Sequence, residues 1–210
     1  LQQSLPIYQE LKDRKVEAKV LNKLGDAYNN LGQHKTAIDV LQQSLPIYQE
    51  LKDRKGEAKV LELLGYAYYS LGQYERAINF SQQSLPIYQE LKDRKKEADV
   101  LKNLGVAYYN LGQYERAINF YQQSLPIYQE LKDRKGEANV LNGLGIAYYM
   151  LGQHEEAINF YQQSLPIHQE LKDRKGEADV LIVLGIAYHS LEQYERAIDV
   201  LQQSLPIKQE

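Results

Sequence analysis

The sequence predicts an all-α fold, an α-solenoid of stacked antiparallel helical hairpins. Three observations predict it. The chain repeats itself every 40 residues, each repeat holds two apolar series at helical spacing, and a glycine or an aspartate punctuates consecutive series. The repeat is plainest in the Leu-Gly pairs ending at Gly25, Gly65, Gly105, Gly145 and Gly185, and in Pro6, Pro46, Pro86, Pro126, Pro166 and Pro206. Neither helix of such a unit can bury its apolar face alone, so the units must stack.

In chain order, residues 1–13 read as part of a second helix belonging to a preceding repeat. Four full repeats follow at 14–53, 54–93, 94–133 and 134–173, and 174–210 forms a truncated fifth. The second copy shows how each element arises. Asp53 suits the N-cap of the leading helix, where its carboxylate accepts from an early orphan amide, and Glu57 suits the positive end of the dipole. Leu61, Leu64, Ala67, Tyr68 and Leu71 recur at three- and four-residue steps, one apolar face of an α-helix. Gly72 in "LGQ" ends that helix by taking the left-handed conformation. The trailing helix carries Ala77, Ile78, Ser81, Leu85, Tyr88 and Leu91, and Tyr121 stands at the Ser81 position in the next copy.

A proline inside the trailing helix removes one amide donor and crowds the carbonyl four residues earlier. The apolar series keeps its phase across Pro86, and both Gln82 and Pro86 lie off the stripe, on the solvent side. The expectation is a kinked helix that continues, bent around the core. Repeated in every copy, the kink would help set the curvature of a superhelix and the shape of its inner groove.

Composition narrows the function classes. A net charge of -3 over 210 residues argues against a nucleic-acid binder working by phosphate neutralisation. The absence of cysteine excludes disulfides and thiolate metal sites. No apolar run approaches the roughly 18 residues of a membrane span, and no signal segment opens the chain. The chain begins without Met and reads as a fragment, with the cytoplasm as its default location. "KDRK" sits beside Asp13, Glu10, Glu17 and their copies, so its charge largely cancels and it reads as a solvated turn. The four histidines, His34, His154, His168 and His189, replace tyrosines of other copies and lack metal-ligand spacing. No Ser-His-Asp set, glycine-rich phosphate loop or isolated carboxylate pair stands apart from the repeat. The expectation is no enzyme, no metal and no cofactor.

Leu64-Gly65, Tyr68, Gly72, Tyr74 and Ala77, counted from Ala58, resemble the tetratricopeptide repeat, and each recurs in most copies. Leu61 stands where that family often has Trp, and the usual late proline is absent. The 40-residue period and the "DRKGEA" turn are similar to the longer-helix variety of kinesin light chains and Pins/LGN proteins. The resemblance covers nearly the whole chain. It implies a right-handed superhelix whose concave groove, lined by leading helices, holds an extended or helical peptide segment. Related bacterial arrays often adjoin protease-like or nucleotide-binding signalling domains.

Comparing the copies with one another locates the variation. Three rows of the leading helices change: Asn22, Glu62, Lys102, Asn142 and Ile182; Asp26, Tyr66, Val106, Ile146 and Ile186; and Asn29, Tyr69, Tyr109, Tyr149 and His189. Spaced four and three apart, they share one helix face, which the resemblance turns toward the groove. These fifteen residues are the expected peptide contacts, with the tyrosines as candidate hot spots. Groove asparagines of the Pins/LGN kind are thin here (Asn22, Asn103, Asn142). The function expected is a non-catalytic scaffold for a protein or peptide segment. The alternative is a spacer or self-associating rod joined end to end through Ile198, Leu201 and Leu205. Near-identical copies also permit an engineered consensus, against which differences such as Ser81 and Tyr121 speak.

Overall fold

The structure is a computed structural model and describes residues 13–207. The partial helix expected at 1–13 lies outside the described residues, Asp13 excepted. Among the described residues there are ten α-helices and no strand. Two compact units divide the chain, Leu1–Ala107 and Tyr108–Glu210, with the division falling inside one helix.

The first unit contains α1 (Arg14–Asn30), α2 (His34–Glu50), α3 (Arg54–Ser70), α4 (Tyr74–Glu90) and most of α5 (Arg94–Asn110). Hairpins form between α1 and α2 and between α3 and α4; α2 packs on α3, and the leading helices α1 and α3 touch. The second unit contains α6 (Tyr114–Glu130), α7 (Arg134–Met150), α8 (His154–Glu170), α9 (Arg174–Ser190) and α10 (Tyr194–Ile207). There α7 pairs with α8 and α9 with α10, while α6 packs on α7 and α8 on α9. Each unit is thus a stack of helical hairpins.

The predicted punctuation is present. The Asp53 carboxylate accepts from the Gly56 amide at 2.9 Å, and Asp133 and Asp173 cap α7 and α9 in the same way. Gly72 ends α3 at a φ of 72°, where its amide donates to the Tyr69 carbonyl. A second left-handed turn follows each of four trailing helices, at a lysine rather than a glycine. Lys52, Lys92, Lys132 and Lys172 take φ of 53–54° after each trailing helix, and Glu192 takes 58° where the other repeats have glycine. A non-glycine residue in that region costs roughly 1–2 kcal/mol.

Helices α2, α4, α6 and α8 run through Pro46, Pro86, Pro126 and Pro166 without ending. Pro86 and Gln82 are both exposed, so solvent reaches the side of the helix where the proline removes a donor. The trailing helix departs from expectation at its end. Leu91 is 41% exposed, whereas Ile87 and Ser84 are buried. Leu91 is the C-cap of α4, past the last turn that the neighbouring helices cover. A serine can occupy the core at position 84 because its hydroxyl donates to the Ser81 carbonyl at 2.9 Å, which satisfies the buried group within its own helix.

In the first unit the core gathers Leu21, Leu41, Ile47, Tyr48, Val60 and Leu64; in the second, Ile158, Tyr161, Val180, Leu184 and Tyr188. Tyr68 stacks flat on Phe80 at 5.3 Å with the Arg76 guanidinium on it, 5.5 Å away. The "KDRK" arginines are structural. Arg54 pairs with the buried Glu57 at 2.5 Å and reaches Glu90 at 3.0 Å, and Gln49 donates to Glu57 at 3.1 Å. A buried carboxylate is tolerable only when partnered, and Glu57 has two donors besides the helix N-terminus. Arg134 repeats the arrangement with Glu137 and Glu170.

Candidate functional site

The three variable rows do not share one environment. At 3.6 residues per turn, rows seven positions apart nearly eclipse, while the middle row is rotated from them by about 40–60°. That rotation decides which side chains are open. In the middle row Tyr66 and Ile186 are exposed, at 52% and 45%, and Asp26, Val106 and Ile146 are half-buried.

The row from Asn22 to Ile182 turns toward neighbouring helices. Asn22 bonds Tyr48, and the Asn142 amide meets His168 Nε2 at 3.1 Å. Glu62 accepts from the Tyr88 hydroxyl at 2.7 Å and from Lys96 Nζ at 2.9 Å, with Lys59 at 3.4 Å. Lys102 lies 4.0 Å from Asp99, and Ile182 lines an apolar recess with Ile198, Leu201 and Leu205. Burial pushes the Glu62 carboxyl up, but the bonds from Lys96 and Tyr88 outweigh it and hold the group below the ordinary carboxylate range. Burial, with Glu62 as acceptor, pushes the Tyr88 phenol up. A depressed carboxyl stabilises the fold above its unfolded pKa, about 4.3, and loses that contribution as pH falls through the folded value. The stability advantage of the natural chain over Glu62→Gln, read from urea unfolding, is therefore expected to shrink as pH drops from about 6 to about 3. A pH-independent difference would contradict this.

The third row is mixed. Asn29 is corrected from a groove contact to a buried bracket: 3% exposed, it donates to the Leu63 carbonyl at 3.1 Å and meets His34 Nδ1 at 3.2 Å. The cause is the short side chain, which stays between α1 and α3. The longer residues in this row pair with the first ring of the following helix. Tyr69 meets Tyr74 at 5.5 Å, Tyr109 meets Tyr114 at 5.6 Å, Tyr149 meets His154 at 4.8 Å and His189 meets Tyr194 at 5.3 Å. The Tyr149 hydroxyl also lies 3.1 Å from Ser190 Oγ. All four remain half-buried or exposed. Burial pushes the Tyr109 phenol up.

Four of the expected contacts do converge. Glu62, Tyr66, Tyr69 and Val106 line a cavity of about 190 Å³ in the first unit, together with the buried Gly65 and Val100. Its origin is Ser81. The equivalent positions hold Leu41 and Tyr161, at 0% and 2% exposure, and Tyr121 at 4%. Each large side chain fills the space over a glycine of the leading helix: a Cβ on Gly25 would lie 2.4 Å from Leu41, and one on Gly145 2.4 Å from Tyr161. Over Gly65 the nearest atom is the small Ser81 hydroxyl, 3.2 Å from the equivalent point, with the Ala77 carbonyl and Phe80 Cβ farther off at 3.5 and 3.8 Å. The sequence showed the Ser81 exchange; that it empties a hole beside the variable face is a tertiary fact.

Two of the histidines, His34 and His168, are held in hydrogen bonds within the fold. His168 is 4% exposed and bonds Asp173 at 3.0 Å besides Asn142. The Gly176 amide above all, and His168 after it, keep the Asp173 carboxyl below its usual range. Among the described residues no group of His, Asp and Glu is arranged to hold a metal ion, and no helix is long and apolar enough to cross a membrane.

Comparison with known proteins places this arrangement. The tetratricopeptide-repeat family profile matches at residues 16–90, 56–130, 96–170 and 136–210. No curated protein matches the sequence. Among solved structures, BtubC (BKLC) from P. vanneervenii is similar with a TM-score of 0.84 at 23% identity, over 99% of this chain and 87% of that one. A putative kinesin light chain with nearly identical repeats from Podosopora anserina gives 0.76 at 22% identity, over 90% and 93%. A STAND signal-transduction ATPase with a tetratricopeptide-repeat sensor from Pyrococcus horikoshii gives 0.80 at 21% identity, over 88% of this chain and 29% of that one. At these identities the likeness is one of fold. Repeats of this kind generally mediate protein–protein interaction and are typically non-catalytic. With four overlapping matches reaching from residue 16 to residue 210, the chain belongs to the tetratricopeptide-repeat family.

Proposed function

We propose that the chain is a protein-interaction scaffold that holds a peptide or protein segment along the groove-facing side of its leading helices. The observation that carries this reading is the convergence of Glu62, Tyr66, Tyr69 and Val106 on one open cavity, beside a Tyr66 that is more than half exposed. Constant residues build most of the core and the turns, and among the side chains that differ between copies Tyr66 and Ile186 stand open to solvent. A large aromatic with a polar tip is the kind of side chain that anchors such contacts. Panning a random peptide library over the intact chain is expected to enrich segments whose binding falls about tenfold or more in Tyr66→Ala, with circular dichroism unchanged. Enriched segments that ignore both Tyr66→Ala and Ile186→Ala would move the site elsewhere.

A second reading, end-to-end association through α10, has its own support. Ile198 is 55% exposed, while its repeat equivalent Ile158 is 8% exposed. An apolar face of that kind can stack on the first helix of another copy, a head-to-tail contact that need not close. Light scattering over a concentration series tests it, and a monomer throughout removes it.

A further inference from the structure

We infer that the cavity at Ser81 is a specificity pocket for one aromatic side chain, tyrosine or phenylalanine, of the bound segment; this rests on the scaffold reading above. The argument begins with what fills the same space elsewhere in the chain. Tyr161 lies over Gly145, with ring atoms 2.4–2.9 Å from where a Cβ would stand, and is 2% exposed. Tyr121, 4% exposed, puts its ring tip against Gly143, 2.7 Å from the Cβ point there. The chain therefore places a ring at this layer in two repeats, and in the second repeat it withholds one.

Size and lining agree with a ring. An apolar cavity of about 150 Å³ binds benzene, so about 190 Å³ accommodates a phenol or phenyl group. Tyr66 and Tyr69 present ring surfaces on which an incoming ring can lie edge or offset. Asn103 stands at the position of Gly143, is exposed, and lines the cavity, so its amide is placed to meet a phenolic hydroxyl. A cationic guest is disfavoured, because the one carboxylate in the wall, Glu62, is already engaged by Lys96 and Tyr88.

The wall is also built to remain open. Gly65 contributes no side chain, the Ser84 hydroxyl is spent on the Ser81 carbonyl, and no other side chain has grown into the space. Repeat one shows the closed alternative in native form: Leu41, fully buried, belongs to the same core cluster as Leu63, the residue at the Asn103 position. Ser81→Leu thus reproduces a filling that the fold already accepts.

The test uses p-cresol, the tyrosine side chain as a free molecule, on the intact chain. Its addition is expected to shift the amide resonances of Gly65, Ala77 and Ser81. Ser81→Ala, which keeps the cavity, should bind p-cresol like the natural chain, and Ser81→Leu should weaken it about tenfold or more. Library segments selected on the intact chain should be displaced by p-cresol and rich in tyrosine or phenylalanine. Binding of p-cresol that survives Ser81→Leu, or tighter binding of isobutanol than of p-cresol, overturns the pocket. Segments that depend on Tyr66 yet resist p-cresol overturn the pocket and leave the scaffold reading standing. Cavity binding of p-cresol with no selectable segment sinks the scaffold reading, and the partner side chain with it.

Discussion

Replacing Tyr161 with serine is expected to destabilise the second unit by about 3–5 kcal/mol, the range for removing a large aromatic from a core. The ring is 2% exposed and packs with Ile158, Val180 and Leu184, between α8, α7 and α9. Burial above all, with Tyr109 and Tyr149 nearby, pushes its phenol up. Serine would leave a hole of the kind that Ser81 leaves naturally, but in surroundings whose other side chains were placed around a ring. Urea unfolding reads the effect as a lower midpoint. A variant with the natural midpoint would show that the layer collapses around the deletion and that the ring is not a keystone of the unit.

Gly145→Ala is the second large effect, and its sign depends on the same ring. The added methyl would sit 2.4 Å from Tyr161 Cε1, closer than real atoms approach, and the ring has no solvent to swing into. Overpacking of this sort costs typically about 1–3 kcal/mol, more than the roughly 1 kcal/mol that alanine gains over glycine in a helix. Gly65→Ala, at the equivalent position, meets the Ser81 hydroxyl at 3.2 Å, the Ala77 carbonyl at 3.5 Å and Phe80 Cβ at 3.8 Å, none of them as close as the ring over Gly145. There the helix-propensity gain of up to about 1 kcal/mol is expected to prevail, or nearly so. In a double-mutant cycle, Gly145→Ala should cost less once Tyr161→Ser is present, a coupling between atoms in contact. If Gly65→Ala and Gly145→Ala shift the unfolding midpoint alike, the repeats do not differ at this layer, and the cavity at Ser81 has no structural meaning.

These two glycines show how far the sequence could be read. Both appear in it as the same Leu-Gly pair, and nothing local separates them. The separation comes from residues 16 positions later, Ser81 and Tyr161, across a helix pair. The candidate site behaved similarly. Tyr66 and Ile186 are exposed, and Tyr69, Tyr109 and Tyr149 keep part of their surface open to solvent. Asn29 does not, because its carboxamide finds the Leu63 carbonyl of the next leading helix. Glu62 is spoken for by Tyr88 and Lys96, although it also walls the cavity. The lysine is one exchange in a turn where three other repeats have glycine, a link between positions 34 residues apart that helical periodicity does not reveal.

What the sequence determined by itself is the local grammar: a two-helix unit repeated in register, aspartate caps, a glycine taking positive φ, and helices that pass through their prolines because the stripe keeps phase. The caps, the glycine turn and the phase across proline depend on φ/ψ preferences and contacts within a few residues, and the repetition in register makes each of them legible several times over. Tertiary structure alone decided which variable side chains are open, why Leu91 lies outside while Ser84 lies inside, and where a hole remains. Periodicity assigns an angle about a helix's own axis. Burial depends on how closely, and with what side chain, the next helix approaches that angle.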